Sequence, residues 1–279
     1  MIEVMAMGIT VGLDIGGSTT KIVGMKDRDL IYKEIIKAND PVTSAYGALG
    51  KLLNDNGLSV KDIDRVNITG VGASFPSGDL LGIKTVTITE FLATGLGGLY
   101  TSGLERAVVV SMGTGTAYLD ASYDNVRHII GSGVGGGTIV GLCNAMVGIE
   151  DPEKLSDVAM EADVRKVDLT IGDISKAEIP GLPMDVTASN FGKAEDDLSR
   201  QEKIAGVFNL VYQSIGTMAV LSSRNCGIRD VVFTGQLTTL KQCGMYLSLF
   251  SDLYDVNIII PEDAEYATAI GACLAGNEK

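Results

Sequence analysis

Asp14-Ile15-Gly16-Gly17-Ser18-Thr19-Thr20-Lys21 is the stretch that decides the fold. An apolar run, Ile9 to Leu13, leads into it, and strand-like sequence resumes from Thr20 to Met25. Strand, glycine-rich turn and strand together read as a β-hairpin. Adjacent glycines let backbone N–H groups approach a phosphate with no Cβ in the way. Ser18 and Thr19 add hydroxyl donors, and Lys21 offsets phosphate charge. Asp14, at the strand end, offers the hard oxygen that Mg²⁺ prefers. The same residues also suit a plain glycine hairpin with a polar tip, and the P-loop pattern G-x-x-x-x-G-K-[ST] does not occur.

Outward from the hairpin, Asp29 to Lys37 reads as a third strand. Ser44 to Asn56 carries Leu49, Leu52 and Leu53 at helical spacing, with Gly57 as a stop signal. Val66 to Thr69 and Lys84 to Ile88 read as buried strands, and Glu90 to Tyr100 as a glycine-weakened helix. The pattern then restarts. Arg106 to Met112, the turn Gly113-Thr114-Gly115-Thr116, Ala117 to Ala121 and Val126 to Ile130 repeat strand, glycine turn, strand and third strand. This is a duplication of architecture without sequence identity. Further on, Thr138 to Val147 reads as a helix and Asp151 to Lys176 as polar and helical. Glu178 to Ser189 reads as a loop, and Asp196 to Asn225 as the longest helix. Val231 to Gly235 and Ile258 to Ile260 are strands, and Glu265 to Ala275 is a small-residue helix ending at Gly276.

Several of these segments carry candidate chemistry. Gly113, Thr114 and Gly115 fit a second phosphate turn or an ordinary β-turn. Gly135, Gly136, Gly137 and Thr138 open a helix, where free N–H groups and the helix dipole favour anions; the alternative is a linker. Gly235 ends a strand and suits either the adenosine side of a nucleotide or a plain strand end. Glu90 is placed to act as a general base toward a hydroxyl, or to serve only as a helix N-terminal charge. His128 is the one histidine and reads equally well as a strand residue.

The bulk numbers narrow the classes. A chain of 279 residues is long enough for two lobes. A formal charge of −13 argues against a nucleic-acid partner. Cys143, Cys226, Cys243 and Cys273 lack metal-site spacing and read as reduced thiols of a cytoplasmic protein. The opening residues have no basic region before an apolar run, and no uninterrupted apolar stretch reaches the ~20 residues of a membrane span. A soluble protein is expected.

Taken in order, these motifs resemble the acetate and sugar kinase, actin and heat-shock ATPase superfamily. Within it the chain looks like a type II pantothenate kinase. Four segments carry this likeness: Asp14 to Ser18; Thr89-Glu90-Phe91; Gly135 to Thr138 with Gly141-Leu142; and Thr187-Ala188-Ser189-Asn190-Phe191-Gly192-Lys193. The resemblance implies an α/β fold of two ribonuclease H-like lobes, each with a central mixed sheet, and an ATP cleft between them. The expected lobes are residues 1–105 and 106–263, with 264–279 returning to the first.

The resemblance also implies transfer of the ATP γ-phosphoryl group to the primary hydroxyl of pantothenate, the first step of coenzyme A synthesis, with Mg²⁺ at Asp14. Glu90 takes the place of the family's base, and Arg127 is its candidate companion. Two positions depart from the family pattern, both on the acceptor side: His128 stands where an arginine is usual, and Ala117 where a serine is frequent. The long helix suggests a homodimer. Other readings are a kinase of a sugar or another small alcohol, an ATPase activator of a radical dehydratase, and a non-catalytic actin-like ATP-binding protein.

Overall fold

The computed structural model describes residues 8–17, 19–37, 40–195 and 197–275. Ser18, the first residue expected in the long helix (Asp196) and the expected helix stop at Gly276 lie outside them. Contacts divide the chain into two compact units. One is Met1–Val109 with Leu119–His128 and Pro261–Lys279, and the other is Val110–Tyr118 with Ile129–Ile260.

The first unit begins with three antiparallel strands, β1 (Ile9–Ile15), β2 (Thr20–Lys26) and β3 (Asp29–Ile36). Helix α1 (Pro41–Asp55) follows, started by the Asp40 carboxylate, which accepts from the Thr43 N–H at 2.6 Å. Strands β4 (Ile63–Thr69) and β5 (Thr85–Thr87) join in parallel, giving a sheet in the order β3-β2-β1-β4-β5. Alternation in β1 sets its two faces. Val11, Leu13 and Ile15 pack with Val66, Ile68 and the α1 residues Ala45, Ala48, Leu49 and Leu52.

The last helix covers the opposite face, and helix α2 (Glu90–Ser102) packs on that helix. Strands β6 (Arg106–Met112), β7 (Thr116–Ser122) and β8 (Asn125–Ser132) come next along the chain. A Cβ on Gly95 would lie 2.6 Å from the Val126 side chain, and one on Gly98 would lie 2.7 Å from Val109. These contacts with α2 explain why 106–109 and 119–128 group with the first unit, although the sequence suggested a boundary at 105.

The second unit continues with α3 (Gly136–Val147), α4 (Pro152–Ala159), β9 (Leu169–Thr170), α5 (Ile171–Ile174) and β10 (Thr187–Ser189). Helix α6 (Arg200–Cys226), β11 (Asp230–Thr234), α7 (Gln242–Tyr254) and β12 (Asn257–Ile259) complete it, before α8 (Ala267–Leu274) returns to the first unit. The second sheet has the order β12-β11-β6-β7-β8. Read from β8, its strands run third, second, first and then two later ones, as in the first sheet. The duplicated architecture suggested by the sequence is therefore present in the strand order.

Helix α6 begins with a capping box, in which Ser199 and Glu202 satisfy each other's N–H groups, and ends at Gly227 with φ 64°. By length and composition it is apolar enough to cross a membrane. Its Ile204, Val207, Phe208, Val211, Tyr212 and Ile215 are nevertheless buried in the unit's core. Tyr118 donates to the Ile215 carbonyl at 3.2 Å, and Tyr212 to that of Leu237 at 2.7 Å.

Asp151 to Lys176 is not the continuous helix its polarity suggested. Only Pro152–Ala159 forms a helix of two turns; a short 3₁₀ turn, β9 and the four-residue α5 follow. Asp163 turns its carboxylate onto the Arg165 N–H at 3.0 Å, a local bond that competes with helix propagation. Within the segment read as a loop, β10 pairs antiparallel with β9. Helix α7 was not anticipated.

Candidate active site

In the first unit the glycine hairpin is present as expected. The Gly16 N–H donates to the Thr19 carbonyl at 3.0 Å, closing the turn, and space is open around Gly17. The Ser44 hydroxyl donates to Thr20 Oγ1 at 2.6 Å, which ties the turn to α1. A cavity of about 200 Å³ opens beside the bend, lined by Gly16, Gly17, Thr20, Ser44 and the apolar Val71 and Phe75.

Strand register places Lys21, Asp14 and Thr69 side by side across β2, β1 and β4. All three share the face covered by α8. One rung away on that face, a Cβ on Gly12 would lie 2.0 Å from the Ala269 carbonyl oxygen, and Asn67 donates to the Ala272 carbonyl at 2.6 Å. Lys21 is buried and Asp14 half-buried. Burial pushes the Asp14 carboxyl up to about 6; Lys21 opposes this, and the negative charge of Glu90 adds to it. The Asp14 carboxylate lies against Gly70, where a Cβ would come 2.6 Å from Oδ1 and where φ is +88°. Only glycine fits that space and that backbone conformation together.

Glu90 is the first residue of α2. It is exposed, yet desolvation by neighbouring protein raises its pKa. Next to it, the Phe91 ring stacks on His128, with centroids 4.5 Å apart and planes 8° from parallel. Arg127, the preceding residue of β8, pairs with Asp120 of β7 at 3.2 Å. The structure thus brings Asp14, Lys21, Thr19 and Glu90 into one region of this unit. It gives His128 the position against the Glu90-Phe91 segment and turns Arg127 to Asp120.

Among the described residues no group of three or more His, Cys, Asp or Glu could enclose a metal. An oxygen-loving cation at Asp14 would therefore keep water or phosphate oxygens as its remaining ligands. That is the habit of Mg²⁺, which uses one or two carboxylates and retains several waters. The residues fit Mg²⁺.

In the second unit, Gly113, Thr114 and Gly115 form a turn closed by the Gly113 N–H to the Gly115 carbonyl at 2.9 Å. The glycine run before α3 packs directly on it. A Cβ on Gly135 would lie 2.6 Å from the Thr114 carbonyl oxygen, and one on Gly115 would lie 2.7 Å from that of Ser132. The Gly136 and Gly137 N–H groups donate to the carbonyls of Gly113 and Thr114, both at 2.9 Å, and the Thr138 N–H donates to that of Gly135. The expectation of free N–H groups at this helix start is therefore corrected: they hold the turn. Gly235, with φ +92°, abuts the Met112 carbonyl just before the same turn. Gly113, Gly115, Gly135, Gly136, Gly137 and Gly235 thus meet in one place.

The segment Thr187 to Lys193 is organised by Asp168, a buried carboxylate that sequence reading missed. Asp168 accepts from Asn190 Nδ2 at 3.0 Å, the Phe191 N–H at 2.7 Å and Asn209 Nδ2 of α6 at 2.6 Å. Phe191 is held at φ +56°, and Lys193 donates to the Arg165 carbonyl at 3.0 Å. A single Asp between Val167 and Leu169 carries no local signal of such a role.

The two mixed five-stranded sheets define a two-unit α/β fold. The chain has this fold in common with the activator of the 2-hydroxyisocaproyl-CoA dehydratase from Clostridium difficile, solved with bound ADPNP. The TM-score is 0.68 at 20% identity, covering 96% of this chain and 93% of that one. The family described as Fumble matches residues 106–275, more than half of the sequence. A type II pantothenate kinase of Staphylococcus aureus is 30% identical over 235 residues, 81% of this chain and 83% of that protein. One from Bacillus cereus is 26% identical over 275 residues, 95% and 97% of the two chains. The chain belongs to the Fumble family of type II pantothenate kinases.

Proposed function

We propose that this protein phosphorylates the primary hydroxyl of pantothenate with ATP, the first step of coenzyme A biosynthesis. The observation that carries this reading is the grouping of Asp14, Lys21 and Glu90 in a chain whose relatives are named type II pantothenate kinases. Glu90 takes the proton as the acceptor oxygen attacks the γ-phosphorus; the new O–P bond forms while the bond to the β-phosphate oxygen breaks and ADP leaves. Desolvation raises its pKa, which makes it a better proton acceptor than an ordinary glutamate. Gly16, whose N–H closes the turn, holds the bend from which Gly17, Thr19 and the Lys21 ammonium position phosphate. Bound at Asp14, Mg²⁺ would neutralise charge on the phosphate oxygens. In the second unit Gly113, Thr114 and Gly115, buttressed by Gly135, Gly136, Gly137 and Thr138, form the second phosphate turn, and Gly235 lies on the adenosine side. Arg127, held by Asp120, bears on the acceptor side only through its strand neighbour His128.

The protein acts as a homodimer in the cytoplasm. Exposure of Leu221 on the largely buried α6 supports a subunit contact, and the free, buried thiols of Cys143, Cys243 and Cys273 suit a reducing compartment. The decisive measurement is ADP release, coupled to a spectroscopic assay, with pantothenate, pantetheine and a panel of sugars. Pantothenate should drive turnover. Release that responds only to a sugar, or proceeds equally without acceptor, would overturn the proposal.

Asp14 gives a pH-dependent signature in the ligand-free protein. Its folded pKa lies above the unfolded value of 3.8, so the native state holds this proton more tightly than the unfolded one. The resulting stabilisation is complete below the unfolded pKa and disappears as pH rises through about 6. At pH 8 the wild-type protein therefore carries a costly buried charge. Asp14→Asn should melt several degrees higher than wild type at pH 8 without ligands, with the gap closing at pH 4. It should lose Mg²⁺-dependent nucleotide binding. Thermal scans at the two pH values, with and without Mg·ATP, check both halves.

A further inference from the structure

Thr69 is the last residue of β4 and is fully buried. Its hydroxyl has no hydrogen-bond partner among the described residues. Buried hydroxyls are almost always paired, and leaving one unmade is expensive. Asn67, one rung away on the same face, at least spends its amide on holding α8. Nothing comparable occupies Thr69. Its in-register neighbour on β1 is Asp14. Side chains opposite each other on adjacent strands stand about 5 Å apart at Cβ, within reach of a hydroxyl-to-carboxylate bond after a small rotation. The Asp14 carboxylate already lies on this side, against Gly70.

We infer that Thr69 is a positioning residue for the cation site: its hydroxyl donates to the Asp14 carboxylate when that group takes up the metal of a metal–nucleotide complex. This rests on the kinase reading above and deepens it. Lys21 flanks Asp14 on β2 and Thr69 flanks it on β4, so one carboxylate stands between a cation and a hydroxyl donor. The hydroxyl then directs one carboxylate oxygen and leaves the other for the metal. A protein kept without the ligand therefore stores an unmade hydrogen bond, which binding completes.

The test uses Thr69→Val, which keeps the shape and removes the donor, and Thr69→Ser, which keeps the donor. Manganese serves as the probe. Its binding in the presence of a non-hydrolysable ATP analogue is followed by electron paramagnetic resonance, and thermal unfolding of the ligand-free protein is measured alongside. Thr69→Val should melt at or above the wild-type temperature yet bind the manganese–nucleotide complex about tenfold more weakly, the usual size of a lost charge-assisted hydrogen bond. Thr69→Ser should recover most of that affinity. Equal binding by wild type and Thr69→Val overturns the inference, as does a serine variant as weak as valine. Should the valine variant not fold, Thr69→Ser against Thr69→Ala isolates the same hydroxyl. Absence of manganese–nucleotide binding by the wild-type protein would instead sink the kinase reading itself.

Discussion

Glu90→Gln is expected to lower kcat by about 10²–10⁴-fold, the range lost with a positioned general base, while nucleotide affinity stays within roughly twofold, the scale of removing no direct phosphate contact. Glutamine keeps the length and shape of the side chain at the start of α2, so the helix begins as before. What disappears is the proton acceptor. The acceptor hydroxyl must then lose its proton to water, and the step slows without any change in how ATP is held. The Asp14 carboxyl should respond in parallel. With the Glu90 charge gone, one of the influences raising its pKa is removed, so its protonation midpoint should fall. Steady-state kinetics with pantothenate and calorimetry with Mg·ADP separate the two effects. Near-wild-type turnover would take Glu90 out of the mechanism.

Gly97→Ala is expected to destabilise the first unit by about 3 kcal/mol, the upper range for overpacking. Helices α2 and α8 touch backbone to backbone. A Cβ on Gly97 would lie 1.7 Å from the Ala267 carbonyl oxygen, and one on Gly271 would lie 1.7 Å from that of Ala93. Neither clash can be relieved by a rotamer change, because the atoms met are main-chain atoms. The helices must separate, and α8 is held close on its other side as well, where Gly12 admits the Ala269 carbonyl. Separation would also shift the start of α2, so activity should fall with stability. Gly47→Ala, in α1 with open space at its Cβ position, is the matched control; it should be neutral or stabilising by a few tenths to about 1 kcal/mol. Denaturant melts compare the pair directly. A Gly97→Ala protein as stable as its Gly47→Ala counterpart would refute the close-packing account.

These two sites differ in how visible they were before the structure was known. Glu90 was singled out because Thr89-Glu90-Phe91 sits in the motif order of the resemblance, and the structure places it at the start of α2, a position that also suits a helix N-terminal charge. Gly97 was read only as a weakness in a helix. Propensity scales count its entropic cost and are blind to a neighbouring helix that arrives from residue 267 onward. The two glycine turns were legible because each interrupts strong strand sequence with residues that only a tight bend uses. The mode of action of Gly136 and Gly137 was not legible. Helix-start reasoning leaves their N–H groups free, whereas the turn at Gly113 and Thr114 takes them. Thr69 gave no signal at all. A β-branched residue closing a strand is unremarkable until its register against Asp14 is known. Asp168 was hidden in the same way, because its three donors come from Asn190, Phe191 and Asn209, far along the chain.

The way α8 closes the first sheet has a bearing on how the protein is made. That sheet is complete in sequence once β5 has emerged from the ribosome, but the helix that seals one of its faces is translated only after the elements of the second unit. At about 5–20 residues per second, the intervening chain takes roughly ten to forty seconds to synthesise. Throughout that interval Val23 and Met25, which Ala269 and Ile270 eventually cover, stand bare on a nascent polypeptide. Early-made strands must wait for a late-made lid, and the newborn chain is most exposed to sticking, or to rescue by a chaperone, on that single apolar face.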